Sequence, residues 1–234
     1  MTDAVKSNLE MIKLVANRLG PLREKVVFLG GAATFLLITD SAAPEVRSTL
    51  DVDVIVEITS KFEYYKLEEM LRELGFTHSM DPDEPICRWI IDDVKVDVMP
   101  TNEKILGFSN RWYSKAIDNS IEIEIEADLN IRIVTAPYFL ATKIEAFYGR
   151  GKGDFLVSHD MEDIIALIDG RPEIVEEIVT SPENLKAHLA DQFRAYLELE
   201  QFLESISGHL RPDNANQARF PIIMERIRRI AQIQ

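Results

Sequence analysis

The chain has 234 residues, 46% of them hydrophobic, enough to bury a core in one large domain or two small ones. No apolar run approaches the ~18–20 residues of a membrane span, and the opening MTDAVKSNLEMIKLVANRLG lacks the apolar core of a secretory leader. A single cysteine, Cys87, excludes an internal disulfide framework, so a reducing cytoplasm is the expected setting, and a net charge of −14 argues against coating nucleic acid over the whole surface.

The elements follow in chain order. Residues 4–19 carry apolar residues at helical spacing (Val5, Leu9, Ile12, Val15, Ala16, Leu19), and Gly20-Pro21 ends that helix. VVFLGG reads as a buried strand meeting a turn, with a helix, AATFLLITD, starting directly after the glycines. SAAPEVRS is a loop, TLDVDVIVEI (Thr49 to Ile58) a strand, and residues 61–74 an amphipathic helix capped by Gly75. CRWII and VKVDVM flank Asp92-Asp93 as a hairpin. A second hairpin is expected from SIEIEIE, Asp128 and NIRIV. Beyond Thr135, an expected N-cap with Pro137 in the first turn, everything reads as helix: YFLATKIEAFYG, then SHDMEDIIALIDG with Ser158 as N-cap, RPEIVEEIVT, one run over 181–206, and FPIIMERIRRIAQI. The expected layout is a mixed α/β domain, of the α+β kind, followed by a helical domain.

The acids raise the functional question. Residues alternate faces along a strand, so Asp51 and Asp53 point one way while Val52 and Val54 point into the core. Asp97 in VKVDVMP shows the same alternation and shares a cleft with the first two if the strands are neighbours. Three carboxylates of this kind can hold one or two Mg²⁺ ions, which prefer oxygen ligands and keep positions open for substrate phosphates. The alternative is an ordinary strand with one solvated face. Glu122, Glu124 and Glu126 alternate just as cleanly and are read that way. The difference lies in company, because a strand–Gly30-Gly31–helix unit precedes the Asp strand. A glycine pair permits a tight turn and close backbone approach, and a helix start behind it can hold a phosphate.

This order of apolar strand, Gly-Gly, helix, Asp-x-Asp strand and a third Asp resembles the polymerase β-like nucleotidyltransferase superfamily. GGAATFLL followed by RSTLDVDVIVE, with FLATKIEAFYGRGKGDFLVSHDMEDIIAL later, is similar to the AbiEii type, the abortive-infection toxins, over residues 26–168. The resemblance implies a nucleotidyltransferase-fold catalytic domain at 1–135 and a helical domain at 136–234 completing the active-site cleft. It implies Mg²⁺ or Mn²⁺ on Asp51, Asp53 and Asp97, triphosphate contact by Gly30 and Gly31, proton acceptance by Asp97, and nucleotide contact by Lys143. The acid of the later helix maps to Asp160, with Asp163 one turn on. Arg47 before the strand is a candidate phosphate contact. Ala32 stands where the family often has Ser or Thr, and the interval from Gly31 to Asp51 is longer than usual.

The implied reaction is transfer of a nucleoside monophosphate from an NTP to an acceptor hydroxyl with release of pyrophosphate, in a toxin of a toxin–antitoxin or phage-defence pair. The 3′ end of a tRNA is one acceptor; a protein hydroxyl and a small molecule such as an antibiotic are rivals. A kinase-like phosphotransferase and a non-catalytic protein that binds a nucleotide or partner remain as alternatives, and a cognate antitoxin is an expected partner. With fifteen acids against six bases in residues 31–100, RNA would need a local basic strip, for which Arg150, Lys152, Arg226, Arg228 and Arg229 are candidates. His159 is read as structural or exposed, Cys87 as packing, and Trp89 and Trp112 as core residues in preference to base-stacking ones.

Overall fold

The computed structural model describes residues 3–150 and 153–234. The chain divides into two compact units, Met1–Ala33 with Arg47–Thr135, and Thr34–Val46 with Ala136–Gln234. Among the described residues no helix is long and apolar enough to cross a membrane.

The first unit is built on a mixed seven-stranded sheet. Its chain order is α1 (Asp3–Leu19), β1 (Val26–Leu29), the start of α2 (Gly30–Leu37), β2 (Asp51–Val56), α3 (Lys61–Glu73), β3 (Thr77–His78), β4 (Arg88–Ile91), β5 (Val94–Pro100), α4 (Glu103–Leu106), α5 (Tyr113–Asp118), β6 (Ile121–Glu126) and β7 (Leu129–Ile133). The sheet order is β3-β4-β5-β2-β1-β7-β6. β2 runs parallel to β5 and antiparallel to β1, and β1 runs parallel to β7. All four residues of β1 are buried, as expected of a short apolar strand with neighbours on both edges. α1 packs against β2, β5 and β7 and buries Ile12, Val15, Ala16 and Leu19.

Both expected hairpins form. Asp92 and Asp93 take φ of 46° and 65°, the left-handed pair that a two-residue turn needs to match strand twist. Asp128, at φ 63°, turns β6 into β7, and Glu122, Glu124 and Glu126 lie exposed on β6. α3 starts at a capping box in which Ser60 and Glu63 satisfy each other's backbone N–H groups.

Several boundaries differ from the sequence reading. α2 begins at Gly30 itself rather than after the glycines, because the left-handed Gly30 (φ 74°) makes the corner within one residue. β2 is shorter than Thr49–Ile58: the Thr49 N–H donates to the Oδ1 of buried Asn8, 3.1 Å away, instead of joining the sheet. β3, α4 and α5 carry two, four and six residues, too short for a periodic pattern to show.

The second unit contains α6 (Ala136–Arg150), α7 (His159–Gly170), α8 (Ile174–Val179), α9 (Glu183–Leu197), α10 (Glu200–Gly208), α11 (Asn214–Gln217) and α12 (Phe220–Ala231). Ser158 caps α7 by accepting from the Met161 N–H. The single helix expected over 181–206 is two, broken at Leu199, whose extended backbone (φ −103°, ψ 114°) redirects the chain. The break seats Phe202 against Tyr196, ring centroids 5.0 Å apart, and against Phe155 at 5.6 Å. The Thr34–Val46 stretch, which takes in most of the SAAPEVRS segment, belongs to this unit: Thr39 and Asp40 both donate backbone hydrogen bonds to the Gly170 carbonyl, and Arg219 binds Asp40 and Asp169 together.

Candidate active site

Parallel pairing of β2 with β5 sets Asp53 directly opposite Asp97 and Asp51 opposite Lys95. Alternation then places Asp51, Asp53, Lys95 and Asp97 on one face of the sheet, while Val52, Val54, Val96 and Val98 are buried on the other. The three acids expected to converge are thus brought to one face. The valines anchor both strands in the core, which fixes the backbone from which the carboxylates project. Asp97 is buried; Asp51 and Asp53 are half-buried.

A residue the sequence reading did not weigh stands among these acids. Arg88 of β4 is the antiparallel partner of Asp97. Its Nε donates to Asp97 Oδ1 at 2.8 Å, and its Nη2 donates to Asp97 Oδ2 at 2.8 Å and to Asp51 Oδ2 at 2.7 Å. These are charge-assisted, two-pronged contacts, and the arginine side chain is nearly buried. Hydrogen bonding to Asp97 pushes the guanidinium pKa still higher, so it stays charged. Glu84 lies at the outer edge, 3.4 Å from Arg88 Nη1, and is itself held by Ser79 Oγ and by Lys95. Those two bonds, Lys95's first, hold its carboxyl at about 2, well below the usual carboxylate range. The signal for Arg88 was in the sequence: counting back from the Asp92-Asp93 turn places residue 88 opposite residue 97.

Asp51, Asp53 and Asp97 offer hard oxygen donors, the chemistry that Mg²⁺ or Mn²⁺ takes. Asp51 and Asp97 already bracket a positive charge, the Arg88 guanidinium. Among the described residues no group of three or more His, Cys, Asp or Glu is gathered to hold a metal ion. The donor chemistry fits a divalent cation, while the side-chain positions seat the Arg88 guanidinium between Asp51 and Asp97.

The glycine pair is fitted to this face. A Cβ on Gly30 would lie 2.6 Å from Asp53 Cγ, so the carboxylate packs directly on the glycine backbone. A Cβ on Gly31 would lie 2.6 Å from Arg47 Nη2 and 2.7 Å from Thr49 Cγ2. Arg47 and Thr49 are in turn positioned by Asn8, which donates to the Arg47 carbonyl and accepts from the Thr49 N–H. The glycines, Arg47 and Asp53 thus form a second contiguous group.

The remaining candidates lie in the second unit. Lys143 of α6 is buried, with its ammonium 3.0 Å from Asp160 and 2.7 Å from Asp163 of α7. Arg150 adds two hydrogen bonds to Asp160 from a largely exposed side chain. Burial opposes the Asp160 charge, but Arg150 and Lys143 more than offset it and bring the carboxyl to about 2. The arrangement is an internal ion cluster clamping α6 to α7. Arg226 donates to the Ile168 carbonyl at 2.7 Å and so caps the end of α7, Arg229 pairs with Glu176, and Arg228 is exposed. Lys152 lies outside the described residues. Trp89, Trp112 and Cys87 are buried, and His159 is exposed beside Glu162.

No protein-family model matches the sequence, and no curated protein matches it. Solved structures do. An antigenic nucleotidyltransferase-like protein from Paracoccidioides brasiliensis is similar with a TM-score of 0.51 and 19% identity, over 86% of this chain and 93% of that one. JHP933 from Helicobacter pylori is similar with a TM-score of 0.52 and 11% identity, over 99% of this chain and 94% of that one. The fold is nucleotidyltransferase-like. At these identities the likeness concerns the fold, and the reading of the site rests on the side chains described above.

Proposed function

We propose that the chain is a divalent-metal-dependent nucleotidyltransferase that transfers a nucleoside monophosphate from an NTP to an acceptor hydroxyl and releases pyrophosphate. The observation that carries this reading is the in-register pairing of Asp53 with Asp97, with Asp51 on the same face and Gly30 packed under Asp53. Asp51, Asp53 and Asp97 would hold Mg²⁺ or Mn²⁺, which when bound supplies charge neutralisation of the triphosphate and a more acidic acceptor hydroxyl. In this reading Asp97 would take the acceptor proton. Gly30 and Gly31, at the start of α2, suit close approach of phosphate oxygens, and Arg47 beside Gly31 adds positive charge. In this reading the catalytic groups belong to the first unit, and Lys143 and Asp160 act by clamping α6 to α7.

The toxin setting, an RNA acceptor such as a tRNA 3′ end, and a cognate antitoxin are supported by the resemblance of RSTLDVDVIVE and the later lysine-bearing helix to AbiEii-type proteins. A second reading, a site that binds nucleotide without turnover, is favoured by the Arg88 guanidinium between Asp51 and Asp97.

The test is incubation of the protein with each α-labelled NTP, Mg²⁺ or Mn²⁺, and total RNA or lysate. Label transferred to a macromolecule with stoichiometric pyrophosphate, lost in Asp53→Asn, is the expected result. Release of nucleoside diphosphate instead would mean phosphoryl transfer. Metal-dependent NTP binding without a labelled product would leave the non-catalytic reading standing.

A further inference from the structure

Arg88 is bound on one side and poised on the other. Three of its hydrogen bonds, all 2.7–2.8 Å, go to Asp51 and Asp97, two of the three acids of the candidate metal site. Its outer nitrogen, Nη1, already lies 3.4 Å from Glu84 Oε1, long for a charge-assisted bond. Glu84 needs no rearrangement to receive it, because Ser79 and Lys95 fix its carboxylate and its low pKa keeps it ionised. Lys95 belongs to the same strand and the same face as Asp97. The guanidinium thus has two built carboxylate seats a short side-chain swing apart, one inside the acid cluster and one at its rim.

We propose that Arg88 is a cation latch, a resident positive charge that holds Asp51 and Asp97 together when the site is closed and must move toward Glu84 before a divalent cation can bind. This inference rests on the metal-dependent reading above and adds a regulation of that site. The latch solves an electrostatic problem of the fold: without a counter-charge, three carboxylates on adjacent strands repel one another. It also sets the metal affinity. A divalent ion binds only to the unlatched state, so its apparent affinity falls by the fraction of molecules in which Arg88 has left. A nucleotide that brings its own cation and phosphate ligands opens such a site more readily than a free ion. The Glu84 seat lowers the cost of opening by giving the displaced guanidinium a partner rather than leaving it unpaired at low exposure.

The experiment is Mn²⁺ binding to the full chain, read from loss of the free-ion electron paramagnetic resonance signal, with thermal stability measured in parallel in chelator and in excess Mn²⁺. Arg88→Gln is expected to bind Mn²⁺ at least about tenfold more tightly than the wild type. Its melting temperature is expected to fall in chelator and recover with Mn²⁺. Arg88→Lys keeps the charge but cannot bridge two carboxylates, so its affinity is expected between the two; it also serves as the measuring variant should Arg88→Gln fail to fold. Glu84→Gln removes the receiving seat and is expected to weaken Mn²⁺ binding severalfold. Equal affinities in the wild type and Arg88→Gln would overturn the latch and leave the metal site standing. Folded wild type and folded variants that all ignore Mn²⁺ would overturn the metal reading, and the latch with it.

Discussion

Gly30 and Asp53 are packed so closely that residue 30 has no room for a side chain: a Cβ there would lie 2.6 Å from Asp53 Cγ. The backbone at Gly30 is also left-handed, at φ 74°. Position 30 is therefore constrained twice, by conformation and by space. Gly30→Ala is expected to destabilise the protein by about 1–3 kcal/mol and to displace the Asp53 carboxylate. Urea denaturation gives the first, and a weakened Mn²⁺ response the second. Unchanged stability would mean that the turn relaxes freely and the close packing is incidental.

Removing the Lys143 ammonium takes away the cation that buried Asp160 and Asp163 share, while the exposed Arg150 stays on Asp160. Lys143→Met is expected to cost about 3–5 kcal/mol, the range for breaking a buried ion pair from one side. Adding Asp163→Asn should restore part of that loss. Denaturation curves of the single and double variants measure both. A Lys143→Met protein of wild-type stability would free Lys143 from the clamping role given to it here.

The acid response follows from the depressed carboxyls. Asp160 titrates at about 2, below its unfolded value, so it contributes stability that is present above the unfolded pKa and is lost as pH falls toward 2. Glu84 has the same sign, in a window that opens slightly higher, from its unfolded value of 4.5 down to about 2. Stability is therefore expected to hold from pH 7 to about 4.5 and to decline between about 4.5 and 2. Asp160→Asn should remove roughly 2 kcal/mol of that pH-dependent part and flatten the profile. Denaturation midpoints at half-unit pH intervals provide the check.

Cys87 is buried next to the acid face, and burial first, then the nearby charges of Asp97 and Asp53, push its thiol up to about 12. The thiolate is the reactive form, so modification by iodoacetamide at pH 8 is expected to proceed only through unfolding. Alkylation followed by mass spectrometry should rise in step with the urea transition. Rapid labelling of the native protein would show that the segment leading into β4 opens easily.

Much of the site was written locally. Alternation of acid and valine follows from the two-residue period of an extended chain, so Asp51, Asp53 and Asp97 were assigned their faces without any knowledge of neighbours. The two-residue Asp92-Asp93 turn even fixes Arg88 against Asp97, since a hairpin's register follows from its turn. What the chain could not reveal locally was which strands lie side by side. That β2 joins β5 in parallel is a choice of long-range packing, and it decides that the three acids share one face. The fate of long side chains was decided in the same way. On an amphipathic helix Lys143 reads equally well as a surface residue or a ligand contact, and the docking of α6 on α7 buries it between two aspartates. Sequence periodicity reports which way a residue points, whereas its partner is set by segments distant in the chain, whose contacts form only when the whole core closes.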